Sequence, residues 1–182
     1  MADPASINNS QNTTKGPTRA ERFVQYVIDN CQTDSGFRAN LKRADNSATE
    51  FLSWEILTRF GVDLEKEWER VPFCLIGSSL AKGRVNINGK LPLGTAIAAC
   101  AKGSGNTNHG DARLRRLLAC TSTQEACLIL RPILSLIVAN GISLDFSQLL
   151  QQLLWFTGEG RERVRTRWAM EFYRNEKIEG RS

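Results

Sequence analysis

Apolar side chains recur three and four positions apart along almost the whole chain, and no stretch keeps the strict alternation of a half-buried strand. That periodicity commits the chain to helices, each of which must hide one apolar stripe against another. It implies an all-α protein, a two-lobed helical bundle of about eight to nine helices. With 41% hydrophobic residues, 182 residues suffice for a core. The apolar runs break well short of the roughly 20 residues needed to cross a bilayer, and the polar N-terminus has no signal-peptide core. A cytoplasmic protein without a membrane partner is expected.

Capping chemistry sets the boundaries. A first helix opens at Thr18, with Glu21 placed to close a capping box, and buries Phe23, Val24, Val27 and Ile28. A short second helix follows Asp34 and carries Phe37 and Leu41 on one face. A third is expected from Ser47, with Glu50 as capping-box partner, burying Phe51, Trp54 and Leu57 and stopping at Gly61. A fourth runs from after Asp63 to near Leu80, with Pro72 expected to kink or divide it. Residues 82–90, KGRVNINGK, read as a mobile basic loop. Pro92 then suits the first position of a small-residue helix through Ala101, and residues 103–110 form a Gly- and Asn-rich linker. Helical stretches follow over residues 111–120, 123–140, 145–157 and 159–175, with Gly141 and Asp145 marking the break between the second and third of these.

This gives an N-terminal helical lobe over residues 17–102 and a C-terminal helical bundle over residues 103–177. Residues 1–16 are polar, with Ile7 the one large aliphatic besides Met1, and are expected to form a disordered arm. Residues 178–182, IEGRS, contain a protease-site tetrapeptide and read as a tag remnant.

Catalysis needs a nucleophile with a base, paired carboxylates or a metal cluster. The single histidine, His109, stands in a linker. The five cysteines, Cys31, Cys74, Cys100, Cys120 and Cys127, are scattered without zinc-knuckle or redox spacing and read as packing residues in a reducing compartment. No enzyme activity, catalytic residue, metal or cofactor is expected.

The charge pattern is more informative. The net charge is +5, and over residues 111–177 ten Lys and Arg face seven Asp and Glu. Placed at about 100° per residue, Val164, Trp168 and Phe172 share one side of the last helix while Arg163, Arg167 and Arg174 share the opposite side. Arg161 and Arg165 fall beside the apolar side, where they can border a groove, cover the core edge or pair with acids. Leu114, Leu117 and Leu118 likewise oppose Arg113 and Arg116. Like charges stand a helical turn apart in Arg38 with Lys42, Arg113 with Arg116, Arg161 with Arg165, and Arg163 with Arg167. Each pair costs about 0.2–0.5 kcal/mol, which a bound polyanion relieves. The alternative is a solvated basic face partly neutralised by Glu159, Glu162 and Glu171. A phosphate-binding surface of this kind confers little base preference.

The strings LPLGTAIAAC, DARLRRLLAC, ILRPILSLI, GISLDFSQLLQQLLWF and GRERVRTRWAMEFYR, in that order, resemble the small subunit of the type I-E CRISPR Cascade complex, the CasB family. The resemblance covers roughly residues 20–175, with FRANLKRADN as weaker support. It implies a two-lobed helical subunit with no catalytic role, present as two copies beside the other Cascade subunits along CRISPR RNA and target DNA, stabilising the R-loop through a basic surface. Carried over by motif, it implies phosphate contacts from Arg38, Lys42, Arg43, Arg113, Arg115, Arg116, Arg131, Arg161 and Arg163, to which the helix geometry adds Arg167. Pro132 departs from the cation more usual at that point. Two other readings stay open: a helix-turn-helix regulator that reads bases with Thr123, Gln124 and Glu125, and a scaffold whose arginines bind acidic proteins.

Overall fold

The computed structural model describes residues 16–103 and 107–179, of which residues 107 and 175–179 are described by backbone alone. The expected N-terminal arm lies outside the described residues except for Gly16. Of the expected tag remnant only residues 178 and 179 are described, as the helical end of the last element.

Among the described residues there are nine α-helices and no strand: α1 (Arg19–Thr33), α2 (Ser35–Leu41), α3 (Trp54–Arg59), α4 (Glu67–Gly83), α5 (Leu93–Gly103), α6 (Thr107–Leu118), α7 (Thr123–Ala139), α8 (Phe146–Leu154) and α9 (Gly160–Glu179). Four of the starts follow capping residues. Thr18 and Glu21 close the capping box of α1, while Asp34, Ser122 and Asp145 accept from backbone N–H groups at the starts of α2, α7 and α8. Gly141 ends α7 with φ +66°, a left-handed turn that glycine makes without steric cost.

Helix α4 is the hub. It packs against α1, α2, α7 and α8, and every residue from Pro72 to Ser78 is buried. A helix buried all round belongs at the centre of its bundle. This explains why Pro72 does not divide it. The ring removes one intrahelical hydrogen bond near the start, while the packed side chains Phe73, Cys74, Leu75, Ile76 and Leu80 hold the rest in register. One continuous apolar cluster runs from Ala20 to Phe172.

Helix α5 lies on α6 and α9, and the approach to α9 is close. A Cβ on Gly94 would stand 2.3 Å from the Trp168 carbonyl oxygen and 2.7 Å from the Phe172 nitrogen. Only glycine admits the two backbones at that distance.

Elsewhere the structure departs from expectation. Ser47 does not cap a helix. Asn46 organises a series of turns, accepting from the Ala48 N–H through its side chain and from the Glu50 N–H through its carbonyl. Glu50 meets Arg70 at 3.2 Å instead of reaching back to Ser47. A 3₁₀ turn over Glu50–Ser53 precedes α3. Its tighter winding rotates the register, so Phe51 and Trp54 are 56% and 38% exposed while Ser53, Ile56 and Leu57 face the core. Helix α6 begins at Thr107, inside the expected linker, because Gly110 packs beneath Ala101 and Phe172. The loop before α5 is pinned in its second half. Gly89 and Leu91 donate to carbonyls of Leu144 and Ser143, and the Asn88 side chain joins Asp145, Ser147 and the Phe146 N–H.

Candidate nucleic-acid interface

Val164, Trp168 and Phe172 of α9 are buried, and Trp168 stacks on Phe156 with ring centroids 5.4 Å apart and planes 17° from parallel. That seating fixes the rotation of α9 and brings Arg163, Arg167 and Arg174 out exposed. Among the described residues none of the three makes a hydrogen bond or an ion pair. Exposed guanidinium groups a helical turn apart, free of direct ion pairs, can take a polyanion.

Arg163 and Arg167 form a ridge between two hollows. One is lined by Gln152, Trp155 and Thr157, and the other by Gln148, Met170 and Arg174 together with Glu159, Glu162 and Glu171. Burial raises the Glu171 carboxyl above its ordinary range, opposed by the Gly94 N–H that it accepts at 3.2 Å and by the charge of Arg167. The expected acidic neighbours therefore line one side of the ridge only.

The remaining candidates divide by what already holds them. Arg113 and Arg116 border a groove walled by Leu128, Pro132 and Leu136 of α7, and their guanidinium groups make no hydrogen bond or ion pair among the described residues. Arg115 lies between them in sequence but pairs with Asp111 at 2.7 Å. Arg161 and Arg165 donate to the carbonyls of Thr121 and Cys120, holding the turn between α6 and α7. Arg38 donates to the Cys31 carbonyl at 3.1 Å. Lys42 is half-buried and Arg43 exposed.

Arg131 belongs to a clasp. With Lys82 it converges on Asp45, at 3.4 Å and 2.7 Å, tying α7 and α4 to the turns after α2. The structure thus sets Arg163, Arg167 and Arg174 on one face and Arg113 and Arg116 on another, and commits Arg38, Arg115, Arg131 and Arg161 wholly or partly to protein partners.

Three features escaped the sequence reading. Trp155 stands 56% exposed beside Arg163 and Arg167. The signal was present, since at about 100° per residue position 155 falls opposite the buried stripe of Phe146, Leu149, Leu150 and Leu153. Leu128 is exposed for the same reason against Leu130, Ile133 and Ile137. The clasp on Asp45 joins residues far apart in sequence and left no local signal.

The residues a helix-turn-helix would use to read bases are occupied. Thr123 is buried and donates to the Phe156 carbonyl, Gln124 donates to Glu67, and Glu125 accepts from Thr121. Among the described residues no group of three His, Cys, Asp or Glu is placed to hold a metal ion, and no helix is long and apolar enough to cross a membrane. All five cysteines are buried. Burial pushes the Cys31 thiol up to about 11 and Cys74 up to about 12, and it raises Cys127 as well.

Residues 37–173 match the family described as CRISPR-associated protein Cse2. The chain belongs to the Cse2 family. The matched region holds every candidate cation from Arg38 to Arg167 and ends just before Arg174. No curated protein matches the chain. Among solved structures, CasB from M. ruber is 23% identical with a TM-score of 0.72, covering 90% of this chain and 97% of that one. A chain of a CRISPR RNA-guided surveillance complex is 17% identical with a TM-score of 0.75, covering 90% and 96%. A Cse2-family protein from Thermus thermophilus is 21% identical with a TM-score of 0.69, covering 85% and 97%. The helical fold of this Cse2 chain is therefore that of the CasB proteins.

Proposed function

We propose that this Cse2 chain is a non-catalytic subunit of a cytoplasmic RNA-guided surveillance complex, binding the sugar–phosphate backbone of CRISPR RNA and target DNA and stabilising the R-loop. The observation that carries the reading is the ridge of Arg163, Arg167 and Arg174, exposed and without hydrogen bonds or ion pairs among the described residues. Arg113 and Arg116 extend the basic surface, and Arg43 and Lys42 supply its first-lobe part. Arg38, Arg115, Arg131 and Arg161 act at its margins, where a guanidinium with five N–H donors can hold a carbonyl or carboxylate and still offer donors to phosphate. The role needs no high intrinsic affinity. Exchanging a DNA duplex for an RNA–DNA hybrid is nearly balanced, so a few backbone contacts tip it.

The proposed partners are the other subunits of the complex, with two copies of this chain per assembly. The experiment is affinity purification of the chain from its native cell followed by nuclease treatment. Co-purifying protected RNA of uniform length, together with further complex subunits, is the expected result. Recovery of the chain with protein partners and no nucleic acid would favour the scaffold reading.

A further inference from the structure

We propose that the hollow between the end of α8 and the start of α9 binds one unpaired nucleotide, its base laid on Trp155, its phosphates held by Arg163 and Arg167. This rests on the reading of the arginine ridge as a backbone-binding surface and adds to it a place for a base.

The platform is built at its root. The Trp155 N–H donates to the Gln151 and Gln152 carbonyls, both at 3.2 Å, closing α8. The next residue, Phe156, is buried against Trp168. On the other side α9 starts hard against it, since a Cβ on Gly160 would stand 2.2 Å from the Trp155 carbonyl oxygen. The backbone of Trp155 is fixed while its indole is more than half exposed. A large aromatic held out of the core on a fixed backbone is the kind of surface on which an unpaired base stacks.

A second observation lies in the wall of the same hollow. Gln152 lines it and is 2% exposed. Its Oε1 accepts from the Trp168 indole N–H at 2.7 Å. An indole nitrogen only donates, so this bond sets the amide orientation and leaves Nε2 as the free atom. That nitrogen is buried and has no hydrogen-bond partner. A buried donor without an acceptor is costly, and every nucleobase presents acceptors on its edges.

The hollow measures about 510 Å³, within the roughly 300–1,000 Å³ of small-ligand clefts. Arg163 and Arg167 stand a helical turn apart at its rim, suited to phosphates on either side of one nucleotide. An aromatic face, one donor and flanking cations together select an unpaired strand, because a duplex keeps its bases stacked on each other. With one donor on offer, recognition tolerates any base.

The test uses the full-length chain and two labelled probes, a short oligodeoxythymidylate and a strand of the same length made of abasic sites. The wild type is expected to bind the thymidylate strand about tenfold more tightly, a typical effect of one stacked base. Trp155→Ala should bring both strands to the same weaker affinity with an unchanged circular-dichroism spectrum. Arg163→Ala with Arg167→Ala should weaken both strands alike. If the thymidylate preference is absent, or survives Trp155→Ala, the pocket is refuted while the arginine result still supports the backbone reading. If neither variant alters binding, both readings fall. If Trp155→Ala leaves both strands bound as before but abolishes recovery of partner subunits, the hollow is a protein contact and the proposal is overturned.

Discussion

The indole N–H of Trp168 donates to the side-chain carbonyl of Gln152 at 2.7 Å, and both residues are buried. This bond crosses from α9 to α8 beneath the candidate interface and holds the apolar side of α9 in place. Replacing Trp168 by Ala removes the bond and the stack on Phe156. The expected cost is about 3–5 kcal/mol, read as a lower urea midpoint of the isolated chain. Trp168→Phe keeps a ring against Phe156 but leaves the Gln152 carbonyl without its donor, and should cost about 1–3 kcal/mol.

On the opposite side of the same helix the outcome should reverse. Arg163→Ala with Arg167→Ala removes two exposed cations that repel each other, so the melting temperature should stay within a degree or two. Nucleic-acid affinity should fall, and the slope of log K against log salt should flatten by about one unit per lost phosphate contact. Salt titration of an unrelated-sequence oligonucleotide reads both quantities. Unchanged affinity and slope would make this ridge a solvated face.

Asp45 offers a change that weakens the fold and strengthens binding. Its side chain is 9% exposed, whereas Lys82 and Arg131 are 47% and 45% exposed. Solvent therefore screens much of each pair, and Asp45→Ala is expected to cost only about 1–2 kcal/mol. The same change takes the carboxylate from Lys82 and Arg131, although Arg131 keeps its bond to the backbone carbonyl at position 45, so nucleic-acid binding should tighten and its salt dependence steepen. Chemical denaturation and a salt titration on one preparation check the two directions together.

The thiols predict an alkaline weakness. In the unfolded chain a cysteine ionises near about 8.5, while burial holds Cys74 protonated up to about 12 and shifts Cys127 in the same direction. The folded state then binds more protons than the unfolded state between those values, so stability complete at neutral pH is lost as pH rises through that window. The thermal midpoint should decline above pH ~9, and Cys74→Ala should flatten the decline. At neutral pH a polar thiol reagent should label Cys74, Cys120 and Cys127 only as fast as the protein opens.

What the sequence made legible was local. The helical period, the caps at Thr18, Asp34 and Asp145, the turn at Gly141 and the two-sided character of α9 each rest on residues within a turn or two of one another, and each is present. The family resemblance rested most specifically on strings that form α6, α8 and α9. What stayed hidden depended on distant partners. Arg70, twenty residues on in sequence, draws Glu50 away from Ser47, and Phe156 and Gln152 decide the face that Trp168 presents. The arginines show the same limit. Helix geometry separated Arg163 and Arg167 from the core, but only tertiary structure shows Arg161 and Arg165 spending their donors on the carbonyls of Thr121 and Cys120.

The close seating of Gly94 on α9 bears on how the chain is made. The Gly94 N–H finds its acceptor, Glu171, 77 residues later. At about 5–20 residues per second, a ribosome needs on the order of ten seconds to travel that distance. Through that interval the small-residue side of α5 has no α9 to rest on. Its docking waits until α9 has left the exit tunnel. A nascent chain stalled before α9 should therefore be the form most dependent on chaperones.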